Sequence, residues 1–379
     1  MGPQSASPQS HPKKIKVVTS DMHLSAGRFH DGMQNPHEDF FFDQEFVEFI
    51  DYFSNGIYGD GCEVELILNG DVFDFLNVPI NDEFPDVVTS DIAVEKLLAI
   101  FEGHPEVTQA LQRFVLKPGK RLLYNVGNHD LDFFFPEVRE KFCRIIGGEG
   151  WSKNKVWVNT ETEFLDYPEG IQIHHGNQFE AVHRTNYQQP FVTENLPEPI
   201  LYLPWGSVYV IKIINRLKVE RDYIDKVRPA KFFLLYGLLT DPIFTIRFFL
   251  LSAFYFLHTR FIFSPKRRAT IRNTLSIMKQ EITPFYGLED DARAILDANE
   301  HIHAVIVGHT HGPMQRFYRD GKTYINTGTW TRMINLDLRN LGQSTKLTFA
   351  FVQYDEQGRP NASLQEWMGL HTPHRSFNF

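Results

Sequence analysis

The sequence predicts an α/β layered domain, and three observations carry that expectation. Short runs rich in β-branched residues and Leu recur along the chain, each too short for a helix. Stretches with apolar residues at helical spacing lie between them. Five of the runs are followed at once by Gly, Asp, Asn or His, as when loops at one edge of a sheet build a site.

In chain order, run 15–19 leads into Asp21 and His23, and run 64–68 into Gly70 and Asp71. Run 121–126 leads into Gly127, Asn128, His129 and Asp130, and run 171–173 into His174, His175 and Gly176. The fifth, 304–307, leads into Gly308, His309, Thr310 and His311. Runs 323–325 and 347–354 read as further strands. Residues 38–53 read as a helix, because Phe41, Phe42, Phe46, Phe49, Ile50 and Phe53 recur at its spacing; 92–114 and 269–279 read the same way. Residues 196–286 break this rhythm and read as a helical insertion. The core is then 14–195 plus 287–379. Residues 1–13, rich in Pro, Ser and Gln and without the apolar stretch of a signal peptide, read as a disordered tail.

Of the 379 residues 42% are hydrophobic and 22% charged, which fits a globular chain with a full core. A net charge of −9 argues against a general nucleic-acid binder, which needs a basic footprint. Between 212 and 268, however, 12 Lys and Arg face 4 Asp and Glu, a basic island that suggests a local anionic partner. Cys62 and Cys143 read as unpaired thiols in a reducing compartment, so a cytoplasmic location is expected.

The five polar clusters hold carboxylates, imidazoles and one amide, with no thiolate among them. Such donors suit Mn, Fe or Zn. In extended backbone, residues at i and i+2 share a side, so Asp21 and His23 should aim at one point, and His309 and His311 at another. Arg28, just after the first cluster, is a candidate for meeting a substrate phosphate. His104, His183, His258, His301 and His303 are set aside as isolated histidines.

Each cluster alone is a weak signal; five in order, each after a strand, are a strong one. The set resembles the calcineurin-like metallophosphoesterases, whose motifs run D-x-H, G-D-x-x-D, G-N-H-D, H-G and G-H-x-H, with Asp74 completing the second. The resemblance implies a four-layer αββα sandwich carrying a helical insertion, and two divalent metal ions, manganese before iron or zinc. It also implies roles. Asp21, His23 and His311 would hold one metal. Asn128, His175 and His309 would hold the other, and Asp71 would bridge them. His175 is chosen over His174 because the family's ligand directly precedes Gly. His129 would be the catalytic histidine, with Asp130 orienting it.

Residues 232–263 contain two apolar runs, 232–239 and 248–257, split by Asp241, Pro242 and Arg247. Neither is long enough to span a bilayer, and Pro242 breaks a continuous helix. A helical hairpin in a membrane interface, or closed over a greasy ligand, fits them. Lys231, Arg247, Arg260, Lys266, Arg267 and Arg268 would favour an anionic lipid surface through 231–268; a buried helical pair is the alternative. Ser20-Asp21-Met22-His23-Leu24, Gly70-Asp71-Val72-Phe73 and the placing of the insertion resemble the UDP-2,3-diacylglucosamine hydrolases, which typically carry Arg where this chain has His129 and have a shorter insertion. This implies an enzyme peripheral to the inner membrane, acting on a lipid-linked phosphate or pyrophosphate. Two rivals are a soluble nucleotide or nucleic-acid phosphodiesterase and a non-catalytic membrane adaptor. The acidic body speaks against the first, and the complete ligand set against the second. The oligomeric state stays open.

Overall fold

In the computed structural model, which describes residues 12–30, 32–228, 230–259, 288–335 and 342–377, two sheets stack face to face between helical layers. Strands β1 (Lys14–Thr19), β2 (Glu63–Asn69), β3 (Lys120–Asn125) and β4 (Val156–Asn159) enter a seven-stranded sheet. Strands β5 (Phe164–Tyr167), β6 (Ile171–His174), β7 (Ala304–Val307), β8 (Met314–Phe317) and β9 (Thr323–Asn326) form a five-stranded sheet. Then β10 (Thr348–Tyr354), β11 (Pro360–Trp367) and β12 (His374–Ser376) return to the first, giving the order β12-β11-β10-β1-β2-β3-β4. The strands β1 to β4 are mutually parallel, as are β6, β7 and β9.

Alternation along the strands builds the layers. Val18, Ile67 and Leu123, in register on β1, β2 and β3, face the five-stranded sheet and pack with Ile173, Ile306 and Ile325. Their neighbours Val17, Leu66 and Leu122 face the other way, into a core shared with α1 (Asp43–Tyr52), α2 (Ser90–Gly103), α3 (Pro105–Leu116) and α4 (Pro136–Gly147). On the far side Val305 and Val307 pack with Ala292 and Leu296 of a helix at Glu289–Ala298. The four-layer αββα arrangement is therefore what the chain forms. Trp330 is fully buried against Phe46 and Phe49, with its indole N–H on the Thr348 carbonyl, so it is a core residue.

The single helix expected over 92–114 is two helices. Pro105 opens α3, and the chain turns at His104. His104 is not isolated. Its buried ring bonds Asp43 Oδ1 through Nδ1 (2.6 Å) and Glu38 Oε2 through Nε2 (3.1 Å). Glu38 in turn accepts the N–H groups of Ser25 (3.2 Å) and Gly27 (2.8 Å), fixing the loop that follows β1. Cys62 and Cys143 are both free and buried.

Between β6 and β7 lies a helical stretch at 205–218, α-helical over Trp205–Tyr209 and Asn215–Lys218 around a π turn at Val210–Ile214. A hairpin of α-helices, Ala230–Thr240 and Pro242–Leu257, follows. Asn215 ties the stretch to the core, donating to the Leu76 carbonyl (2.8 Å) and accepting from His37 (2.8 Å). Lys218, wholly buried, bonds Asp39 and Asp225. The hairpin is not the buried pair weighed as an alternative. Leu238, Leu239, Ile243, Phe249, Leu250 and Phe254 are each at least half exposed, and only Phe244 and Thr245 of its second helix are buried. No helix among the described residues is long and apolar enough to cross a membrane. The expected helix 269–279, the cations Arg260, Lys266, Arg267 and Arg268, and tail residues 1–11 lie outside the described residues.

Against its burial, Asp43 and then Glu38 push the His104 ring up to about 9. A raised folded-state pKa contributes stability that is complete below the ordinary histidine range and is lost as pH rises through 9. Denaturant unfolding should therefore show about 3 kcal/mol of stability disappearing between pH 6.5 and 10. His104→Gln should lack that pH-dependent component while unfolding in one transition. Identical pH profiles for the two proteins would remove the charge assignment.

Candidate metal centre

The loops after β1, β2, β3, β6 and β7 meet at one edge of the stacked sheets. The first two continue side by side past their strands, with N–H groups of Asp21, His23 and Leu24 donating to the carbonyls of Gly70 (3.1 Å), Asp71 (3.0 Å) and Val72 (2.9 Å). Asp21, His23, Asp71, His309 and His311 all have left-handed backbone, with φ between 51° and 68°. Non-glycine residues rarely adopt it, and it persists where surroundings impose it. The extended geometry expected for the i, i+2 pairs is thus replaced. Asp21 and His23 still converge, whereas His309 and His311 part company and join different groups. Gly127 is needed for close approach, since a Cβ there would lie 2.8 Å from the Asp71 amide nitrogen and 2.9 Å from His175.

Two groups of ligand-type atoms result. Asp21, His23 and His311 form one, and Asp71, His175 and His309 the other, with the atoms of each within 4.8 Å of one another. Asn128 is buried beside them, and its amide nitrogen bonds His183 Nδ1 (3.5 Å). The Asp71 carboxyl interacts electrostatically with His175 of its own group, with His129 beside it and with His23 of the other group. Burial would raise it, yet these rings hold it well below the carboxylate range. Burial pushes Asp21 up, against the pull of His175.

The donor set fits a cation. His175 sets Nδ1 on the Asn69 carbonyl (2.8 Å) and Nε2 3.1 Å from Asp71 Oδ2, and Asp71 pushes the ring up to about 10 against its burial, so the pair already holds a positive charge at the place a cation would take. His23 Nδ1 is on Asp74 (2.9 Å), and its Nε2 lies 3.1 Å from His311 Nε2. Asn128 Oδ1, His175 Nε2 and His309 Nδ1 are buried without a hydrogen-bond partner. Buried orphans of this kind are costly unless a positive charge meets them. Hard and borderline donors suit divalent metals.

Several outer contacts set the inner ones. Asp74, given no separate role from sequence, accepts from both His23 (Oδ2) and His129 (Oδ1), each at 2.9 Å. Asp74, then, orients His129. Asp130 does not: its carboxylate is held by the Tyr124 hydroxyl (2.6 Å) and the Gly127 N–H, and burial pushes it up to about 7. His129 is pushed up to about 9 by Asp74 and Asp71 against its burial. Glu180 Oε2 lies 3.1 Å from His309 Nε2, leaving Nδ1 to point inward. His183, set aside as isolated, is part of the site: its ring lies 5.1 Å from that of His309, and burial lowers it to about 3. The H-x-x-x-x-E-x-x-H spacing of His175, Glu180 and His183 was its one sequence signal. His174 bonds Gln178 and stacks on Phe164, away from the centre. Arg28 is exposed, with its guanidinium over Phe41.

No protein-family profile matches the chain, and no curated protein matches it. Among solved structures it is similar to a dimetal phosphatase from Danio rerio, at 10% identity and TM-score 0.38, over 97% of this chain and 99% of that one. It is similar to a conserved Streptococcus pneumoniae TIGR4 protein described as a "predicted phosphoesterase", at 10% identity and TM-score 0.28, over 96% of both chains. A Vps29 double mutant from Entamoeba histolytica gives 16% identity and TM-score 0.17, over 26% of this chain and 51% of that one. With TM-scores of 0.38 or less, these likenesses leave the chemistry to rest on the site itself.

Asp74→Asn should lower metal affinity by roughly 10- to 100-fold, because it loosens the ring orientation of His23. Glu180→Gln should act only on the position that His309 serves. Manganese titration followed by calorimetry reads both, and two-site binding with unchanged constants would refute the orienting roles.

Proposed function

We propose that the protein is a metal-dependent hydrolase of phosphate esters. One observation carries this reading: buried ligand-type atoms of Asn128, His175 and His309 have no hydrogen-bond partner, and the two histidines gather with the Asp71 carboxylate. Two divalent cations held there would supply Lewis acidity toward a phosphoryl group and activate water near neutral pH. Asp21, His23 and His311 would hold one, Asn128, His175 and His309 the other, with Asp71 common to both; manganese is the first candidate.

The remaining groups orient, and one moves a proton. Asp74 accepts from His129 Nδ1 and so turns Nε2 outward, on a ring that is only 15% exposed. From there His129 can donate a proton to a leaving alkoxide oxygen. Asp130, locked by Tyr124 and Gly127, shapes the turn that presents Asn128 and His129.

The proposed substrate is a lipid-linked phosphate or pyrophosphate. The reading is supported by the exposed apolar face at Leu239, Ile243, Leu250 and Phe254 and by the basic residues that flank this stretch in the sequence. The face belongs to an insertion anchored on loops 37–39 and 76, which neighbour the site loops.

Purified protein with manganese should hydrolyse bis(p-nitrophenyl) phosphate, and chelation should stop it. Asp71→Asn should cost more than about 100-fold in rate, beyond the range of an outer ligand contact. Activity retained in that variant, or metal-independent turnover, defeats the reading. In a separate measurement, replacing Leu239, Ile243 and Phe254 by Ser should release the protein from phosphatidylglycerol vesicles in a flotation assay. Binding that survives this change, or faster cleavage of nucleotides than of any lipid phosphate, would move the substrate to the soluble class.

A further inference from the structure

Two arginines from different segments of the chain meet one aromatic ring. Arg28 Cζ lies 5.1 Å and Arg332 Cζ 5.2 Å from the centroid of Phe41. Both arginines are exposed, and neither has a carboxylate partner among the described residues. Elsewhere the pairing is usual: Arg121 meets Glu65, Arg221 meets Asp241, and Arg247 meets Glu220.

Both belong to segments that build the first ligand group. Arg28 follows His23 by five residues, on the loop that Glu38 fixes through Gly27. Arg332 follows Thr329 by three, and the Thr329 hydroxyl and the Trp330 N–H both donate to the Asp21 carbonyl. At about 3.5 Å per residue, Arg332 lies within about 10 Å of Thr329 and Arg28 within about 18 Å of His23. The chain therefore ties both arginines to the segments that build the first ligand group.

Bringing two guanidinium ions to one ring costs repulsion that the ring only partly offsets. An anion bound by both would remove that cost. The ring also holds the two forks in place while leaving their N–H groups to a ligand, and a fork meets phosphate oxygens two at a time. We propose that Arg28 and Arg332, held on Phe41, form a subsite for a second phosphate of the substrate, distinct from the phosphoryl group at the metal ligands. This rests on the phosphoesterase reading and narrows it: the substrate carries at least two phosphoryl groups, as a pyrophosphate or a phosphorylated headgroup does.

The test uses alkane α,ω-bisphosphonates with two to five methylenes, set against the matching alkyl monophosphonates, as competitive inhibitors of bis(p-nitrophenyl) phosphate hydrolysis. In the full-length manganese-loaded protein, one spacer length should bind at least tenfold tighter than its monophosphonate. In Arg28→Ala/Arg332→Ala that ratio should fall to about one, and in Phe41→Leu it should fall part of the way. The ratio is read, so a general loss of activity does not mimic the result. A ratio near one for every spacer in the unsubstituted protein, or an advantage that survives the double substitution, overturns the subsite. If the protein hydrolyses no ester, the phosphoesterase reading fails by itself. Calorimetric binding of the same phosphonates then decides the subsite on the same ratio.

Discussion

A cluster of imidazoles and carboxylates shut away from water has to balance its charge locally, and that requirement organises the structure around it. Asp21, Asp71 and Asp74 are all but fully buried, and so are His23 and His175. In water such groups would be solvated separately. Here each is met by a fixed donor or by another member of the cluster, because the interior offers little else. The backbone N–H of His309 serves Asp21, and that of His129 serves Asp71. What stays unmatched is a set of lone pairs, which is the signature of a place for cations.

The sheets supply the rigidity this needs. Parallel strands end together, so five loops emerge at one edge, and side chains below that edge are fully packed on both faces. Left-handed backbone at five ligand positions is strain of roughly 1–3 kcal/mol each. It is sustained by ladder-like bonds between the first two loops and by the Glu38–His104 pair behind them.

Much of this could be read from the sequence. The runs before each motif became β1, β2, β3, β6 and β7 within a residue or two, because buried parallel strands are continuous apolar runs. Strand β11 went unread, since Asn361, Ser363 and Gln365 alternate with Ala362 and Leu364 and leave no continuous apolar run. Helix α4 went unread because its apolar residues Val138, Phe142 and Ile146 are spread among charges. At the site, the seven ligand candidates were legible because their motifs are local. The partners were not. Asp74 reaches His129 across 55 residues, and His183 offered only its spacing from His175 and Glu180, a weak signal before its ring is seen 5.1 Å from that of His309. Adjacency in sequence made Asp130 look like the partner of His129, when geometry had given it to Tyr124.

Asp74 has one further consequence. A single carboxylate spans two rings on two loops, one proposed as a ligand and the other as the proton donor. Its two oxygens share one charge, so tightening either bond weakens the pull on the other. Occupancy at His23 and protonation at His129 are therefore linked variables, and the coupling works equally in both directions. A cation that polarises His23 changes how firmly His129 holds its proton, and whatever discharges that proton changes how firmly the cation sits. Loading and turnover would then report on each other through one side chain, with no movement of the backbone.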